Sequence, residues 1–140
     1  MVKENSPVMQ RLELPSTPNS LSEVEGLVDH ICEAYNLKDD YYGNILIAIT
    51  EAVNNAIDHG NKRDQAKVVT IDYAEEGKGE IFFLIKDQGD GFDFNNLPDP
   101  TDPENIEKPN GRGIFLMKNL ADEVTFDDGG RAVNIKFKLQ

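Results

Sequence analysis

The spacing of apolar positions divides the chain into a helical first part and a strand-rich second part. Residues 8–14 alternate weakly between apolar and polar and stop at Pro15, which predicts an opening strand on a sheet edge. Leu21, Val24, Leu27, Val28, Ile31 and Tyr35 then recur at intervals of three and four, so a helix capped by Ser20 or Ser22 is expected to bury one stripe. His30 falls with Glu23, Asp29 and Glu33 on the polar side and reads as a solvated residue. A longer helix opens at Asp39 or Asp40 and runs through Tyr41 to His59, with Gly60 and Asn61 expected to end it in the left-handed conformation. Ile45, Ala48, Ile49, Ala52, Val53, Ala56 and Ile57 make its broad apolar face. Glu51, Asn55 and His59, spaced four apart, share another edge of the same helix.

Beyond this helix the period changes from helical to alternating. Residues 68–73 and 81–86 read as strands joined by the turn Glu75-Glu76-Gly77-Lys78-Gly79. A short helix over 113–121 follows, then strands over 123–126 and 132–139 linked through Asp127-Asp128-Gly129-Gly130. Early helices and later antiparallel strands predict an α+β fold, with helices layered on one face of a mixed, mostly antiparallel sheet. The chain shows no internal repeat.

Composition narrows the classes of function. The length of 140 residues suits one domain, and 14 Lys and Arg against 26 Asp and Glu give a net charge of −12. That balance argues against nucleic-acid binding, which scales with the cations delivered to phosphates. No stretch approaches the roughly 18 apolar residues of a membrane span, and residues 1–10 lack the apolar run of a signal peptide, so a cytoplasmic protein is expected. The single cysteine, Cys32, excludes an internal disulfide and a cysteine zinc cage and is expected to pack within its helix.

The negative charge is concentrated. Seven acids and no Lys or Arg lie from Asp87 to Glu107, and Pro98, Pro100, Pro103 and Pro109 exclude regular structure there. This reads as an exposed loop between two glycine motifs. Gly111-Arg112-Gly113 starts like a dinucleotide fingerprint, but Leu116 occupies the third glycine position, and the chain has no P-loop. Asp87-Gln88-Gly89-Asp90-Gly91-Phe92 fails as a calcium loop, because glycine and phenylalanine stand where oxygen ligands should alternate. Weak calcium binding is the least favoured reading.

An ordered triple remains, and each part suits a nucleotide. Asp87, at a strand end, can accept the exocyclic amine of adenine, while Gly89 and Gly91 keep side chains away from the base. Gly111 and Gly113 leave N–H groups at a helix N-terminus for phosphate oxygens. Asn55 offers an oxygen to Mg²⁺ held also by the phosphates, and Glu51, one turn earlier, can act as general base. His59 either caps the helix end or contacts phosphate, and Arg112 either reaches the phosphates or balances the acidic loop. Phe82, Phe83, Phe92 and Phe94 are expected to form core and pocket wall.

Glu51…Asn55…His59, Asp87-x-Gly89-x-Gly91 and Gly111-x-Gly113 resemble the N, G1 and G2 boxes of the GHKL ATP-binding family. The runs Glu51-Ala-Val-Asn-Asn-Ala-Ile-Asp-His-Gly60 and Gly113-Ile-Phe-Leu-Met-Lys-Asn-Leu-Ala-Asp-Glu-Val124 are most similar to its bacterial anti-sigma-factor serine kinases. The resemblance spans residues 8–139. It implies a Bergerat α/β sandwich, ATP and Mg²⁺ under a lid at about residues 93–110, phosphorylation of a serine on a small antagonist protein, and a homodimer that sequesters a sigma factor. By position it makes Glu51 the base, Asn55 the Mg²⁺ ligand, Asp87 the adenine acceptor, and Gly89, Gly91, Gly111 and Gly113 the backbone contacts. Many relatives carry a threonine near adenine on a late strand, where Gly130-Arg131-Ala132-Val133 has no hydroxyl. The lid acids are expected to face outward, toward a basic partner. The alternatives are an ATP-dependent partner switch without phosphoryl transfer and, less favoured, a histidine-kinase-type catalytic domain.

Overall fold

The computed structural model describes residues 10–37, 39–75, 79–90 and 111–139. Strand β1 is Gln10–Pro15, helix α1 Ser20–Ala34 and helix α2 Asp39–Asn55, which continues into a π-helical turn, Ala56–Gly60. Then come β2 (Val68–Glu75), β3 (Glu80–Lys86), α3 (Gly111–Leu120), β4 (Glu123–Asp127), a short 3₁₀ turn (Asp128–Gly130) and β5 (Ala132–Lys138). The five strands lie in the order β1-β2-β3-β5-β4. Every described pairing is antiparallel, so the mixed sheet allowed by the sequence resolves to an antiparallel one.

Alternation explains which face the helices cover. Leu12, Ile71, Ile85, Val133 and Phe126 stand opposite one another across all five strands. Two residues along, Tyr73, Phe83, Ile135 and Val124 form the next row. Side chains of such rows share one face. They pack against Val24, Val28 and Ile31 of α1, Ile45, Ile49 and Val53 of α2, and Ile114 and Met117 of α3 in one core. Phe83 anchors it, stacked on Tyr73 and edge-on to Phe137 at ring-centre distances of 6.2 and 6.0 Å. Phe82 points the other way and is only half-buried on the outer face, so its assignment to the core is corrected by the period of two. On that outer face Arg11 clips the edge strand to β2, donating to both oxygens of the buried Asp72 at 2.6 and 2.9 Å. Its guanidinium holds the Asp72 carboxyl below the usual range. Cys32 is buried within α1, as expected, and His30 is exposed.

Two helix ends differ from expectation. Asn19, not a serine, precedes α1 as its cap and makes no side-chain cap bond. Ser20 is buried, and its hydroxyl donates back to the Pro15 carbonyl at 2.7 Å, fixing the turn from β1. At the other end of the pair, Gly60 and Asn61 are not left-handed; Lys62 and Arg63 are. The π turn adds one residue before the helix stops, and the Asn61 N–H closes onto the Ala56 carbonyl at 2.7 Å. The expected hairpin tip at Glu76-Gly77-Lys78 and the proline-rich loop lie outside the described residues.

Asn61 is a buried joint between three elements. Its amide nitrogen donates to Ser16 Oγ at 2.8 Å, just after β1, and to the Val68 carbonyl at 3.0 Å, where β2 begins. Its oxygen accepts the Gln88 N–H at 2.7 Å, just after β3. Ser16 and Gln88 complete the ring by donating to the Lys67 carbonyl and accepting from the Val68 N–H. Replacing Asn61 by Ala leaves buried donors and acceptors without partners, which predicts a loss of about 2–4 kcal/mol in chemical denaturation. N61D, which keeps the acceptor but removes the donor, is expected to be nearly as costly.

Candidate functional site

Two contacts made possible by glycine draw the three sequence motifs together. At Gly60, a Cβ would meet the Asp87 carboxyl group, with Oδ1 at 2.8 Å. At Gly89, a Cβ would run into the carbonyl group of Gly60. The end of α2 and the loop after β3 therefore touch backbone to backbone, at an approach that no side chain permits. The second contact is at Gly113, where a Cβ would stand 2.6 Å from Glu51 Oε1 and 3.7 Å from Asn55 Nδ2. The first turn of α3 thus lies directly over Glu51 and Asn55.

Asn55, His59, Gly60 and Asp87 line a narrow cleft of about 30 Å³ together with Ala52, Ala56, Ile85, Met117, Gly130, Arg131 and Val133. Its walls are apolar and its polar groups are few and convergent, the pattern of a small-molecule site. A larger hollow, about 300 Å³, opens on the outer sheet face beside Phe82, Glu123, Thr125, Asn134 and Lys136, and it contains none of the motif residues. The cleft, where the motifs converge, is the candidate site.

Asp87 stands just beyond β3. Its N–H donates to the Arg131 carbonyl at 2.9 Å, and Oδ1 accepts the Gly89 N–H at 2.8 Å, so one carboxylate oxygen is committed to shaping the loop. Burial pushes its carboxyl above the usual range, opposed by the Gly89 N–H and by Arg131. His59 is half-buried, and burial lowers its imidazole below the ordinary value despite Asp58, with Arg63 adding to the effect. That shift favours the neutral imidazole, which argues against His59 as a phosphate-binding cation. Glu51 is half-buried on the α3 side of Asn55.

The structure thus brings together Glu51, Asn55, His59, Asp87, Gly89 and Gly113. Gly111 starts α3, so the helix begins two residues earlier than expected, and Gly111-Arg112-Gly113 forms its first turn. The side chain of Arg112, as well as Gly91, Phe92, Phe94 and the lid at 93–110, lies outside the described residues. Gly60, Asn61 and Arg131 were missed as site residues. A glycine after a helix reads as a stop, and the only available signal was the second glycine motif with which Gly60 pairs.

Comparison with known proteins agrees with this geometry. Residues 14–137 match the histidine kinase-like ATPase domain family. The chain belongs to that family. Among curated relatives, the serine-protein kinases RsbW of Bacillus cereus and Bacillus anthracis are each 33% identical, with 65% of this chain and 61% of the relative covered. The chain therefore spans about three-fifths of the length of those relatives. The RsbU and RsbW domains of a Mycobacterium tuberculosis protein share the fold with a TM-score of 0.66 at 17% identity, covering 95% of this chain and 32% of that one. A blue-light-activated histidine kinase domain from Erythrobacter litoralis matches at 0.54 and 21% identity, over 89% of this chain and 61% of that one.

As a histidine kinase-like ATPase domain, the chain has residues that fit a nucleotide and its metal. The free edge of Asp87 and the apolar walls suit a base. The N–H groups of the first α3 turn, which have no acceptor within the helix, suit phosphates. Asn55, placed between them, supplies a neutral oxygen of the kind Mg²⁺ takes alongside phosphate and water. Among the described residues no helix is long and apolar enough to cross a membrane.

The two glycine contacts predict different outcomes. Neither Gly89 nor Gly113 has a positive φ, so substitution by Ala acts through space alone. G89A meets backbone that has nowhere to go and is expected to cost about 2–3 kcal/mol. G113A meets only the tip of the Glu51 side chain, which can swing away; stability in denaturant is expected to change by less than about 1 kcal/mol while Glu51 is displaced.

Proposed function

We propose that this chain is an ATP-dependent protein serine kinase of the anti-sigma regulatory type. The observation that carries the reading is the contact at Gly113, which sets the Glu51 carboxylate against the N-terminal turn of α3, with Asn55 beside it. A base and a phosphate-binding helix end are thereby held at one point, as transfer to a hydroxyl requires. The likeness to RsbW serine-protein kinases supports the same reading.

In this proposal Asp87 accepts the adenine amine, Gly89 and Gly91 admit the base, and the N–H groups of Gly111 to Gly113 hold the phosphates. Asn55 would hold Mg²⁺ together with the phosphates, and the ion would neutralise charge on the triphosphate. Glu51 accepts the proton of the substrate serine as its oxygen bonds to the γ-phosphorus. The bond from that phosphorus to the β–γ bridging oxygen breaks, and ADP leaves. In this reading residues 93–110 are the lid. The substrate is a small antagonist protein, and the alternative partner is a sigma factor held by a homodimer in the cytoplasm.

Incubation with Mg·ATP and the antagonist protein is expected to yield phosphoserine. E51Q is expected to lower turnover by about a hundredfold or more with ADP affinity retained, since the amide cannot take the proton. Nucleotide binding without transfer in the unaltered protein would instead mark a partner switch that binds ATP and transfers nothing.

A further inference from the structure

The base end of the cleft contains one strong cation that the phosphoryl-transfer reading does not use. Arg131 lies on the turn between β4 and β5 and lines the cleft with Asp87 and Gly130. Its side chain reaches in two directions. Nη2 donates to Asp128 Oδ1 at 3.1 Å, with Nε 3.4 Å from Oδ2, and Nη1 donates to the Asp90 carbonyl at 3.2 Å. Its main chain holds the same loop, since the Arg131 carbonyl accepts the Asp87 N–H at 2.9 Å. The turn is shaped for this, with Asp128, Gly129 and Gly130 all at positive φ and the Arg131 N–H closing onto the Asp128 carbonyl at 3.1 Å.

We propose that Arg131 is the positioning residue of the nucleobase end, a clamp whose fork spans from Asp128 to the Asp90 carbonyl and fixes the loop that carries Asp87. This rests on the reading of Asp87 as acceptor of the base amine. The β5 start, Gly130-Arg131-Ala132-Val133, brings no hydroxyl to the base, so the Asp87 carboxylate carries more of the recognition. An ionised carboxylate is the stronger acceptor for an amine, and burial opposes ionisation here. The charges that act on Asp87 are Arg131 and Asp128 from the β4–β5 turn and Lys67 just before β2, with His59 of the π turn in the same cleft. Arg131 favours the ionised form and Asp128 disfavours it. The clamp therefore has two separable effects: the fork holds the loop in place, and the charge keeps its acid ionised.

The opposite signs of Arg131 and Asp128 make the test selective. The titration of the Asp87 side-chain carbon, followed by ¹³C NMR on the nucleotide-free protein, gives the charge effect, and calorimetry with Mg·ADP gives the positioning effect. R131M is expected to raise the Asp87 midpoint, and D128N to lower it. R131K keeps the charge but not the planar fork. Its midpoint is expected to stay near that of the unaltered protein while ADP affinity falls, as in R131M, by about fivefold or more. A purely structural role would weaken both variants without moving the midpoints in opposite directions. Unchanged midpoints and unchanged ADP affinity in R131M overturn the clamp. D87N separates this from the site reading: it is expected to abolish ADP binding, and retained binding in D87N overturns Asp87 as the base acceptor whatever Arg131 does.

Discussion

The nucleotide end of this protein depends on the backbone of Gly60 lying against Gly89 and the Asp87 carboxyl. Helix α2 supplies Glu51 and Asn55, and the loop after β3 supplies Asp87; this contact joins the two. It is a contact between main chains, with no side chain present to act as a spacer. The π turn at Ala56–Gly60 contributes by carrying the helix one residue further before it ends, and the buried Asn61 then ties that end to β1, β2 and the residue after Asp87. Rigid support of this kind is what a site must have if a misplacement of about 1 Å is to be avoided, because such an error can cost a hundredfold in rate.

Charge constrains the site as strongly as shape does. A chain with a net charge of −12 that binds a triphosphate must keep its acids away from the phosphates or neutralise them, since two like charges 4 Å apart repel by about 4 kcal/mol near a protein surface. In the proposed site one acid, Glu51, is set against the first turn of α3, where it serves as the base. The proposed site otherwise follows this rule: Asp87 serves the neutral base, burial favours the uncharged form of His59, and helix amides serve the phosphates. Seven of the acids fall in the stretch from Asp87 to Glu107, between the base and phosphate motifs. The figure of −12 therefore describes the composition of one stretch of the sequence more than that of the whole chain.

Much of this was legible in the sequence, for physical reasons. Apolar periods of 3.6 and 2 located every described helix and strand to within one to two residues, because each element buries a single face. Glu51, Asn55, Asp87 and the glycines were legible because their chemistry and order are unusual together. Other features depended on three-dimensional contact. The purpose of Gly60 was hidden because a glycine after a helix looks like a left-handed stop, whereas it is needed for an approach by a residue 27 positions later (87 − 60). Asn61 reads as a cap but bonds to three other segments. Arg131 reads as a missing hydroxyl until its fork is seen to reach Asp90 and Asp128. Phe82 was assigned inward by composition, although the period of two places it outward beside the inward Phe83.

The central claim is that the end of α2, the loop after β3 and the start of α3 form a single nucleotide-binding unit. Hydrogen–deuterium exchange with and without saturating Mg·ADP tests it most directly. Simultaneous added protection is expected in residues 51–61, 87–90 and 111–117, with the outer-face residues of β1, β2 and β4 unchanged. Protection absent from these three segments, or confined to the outer face of the sheet, would contradict the account.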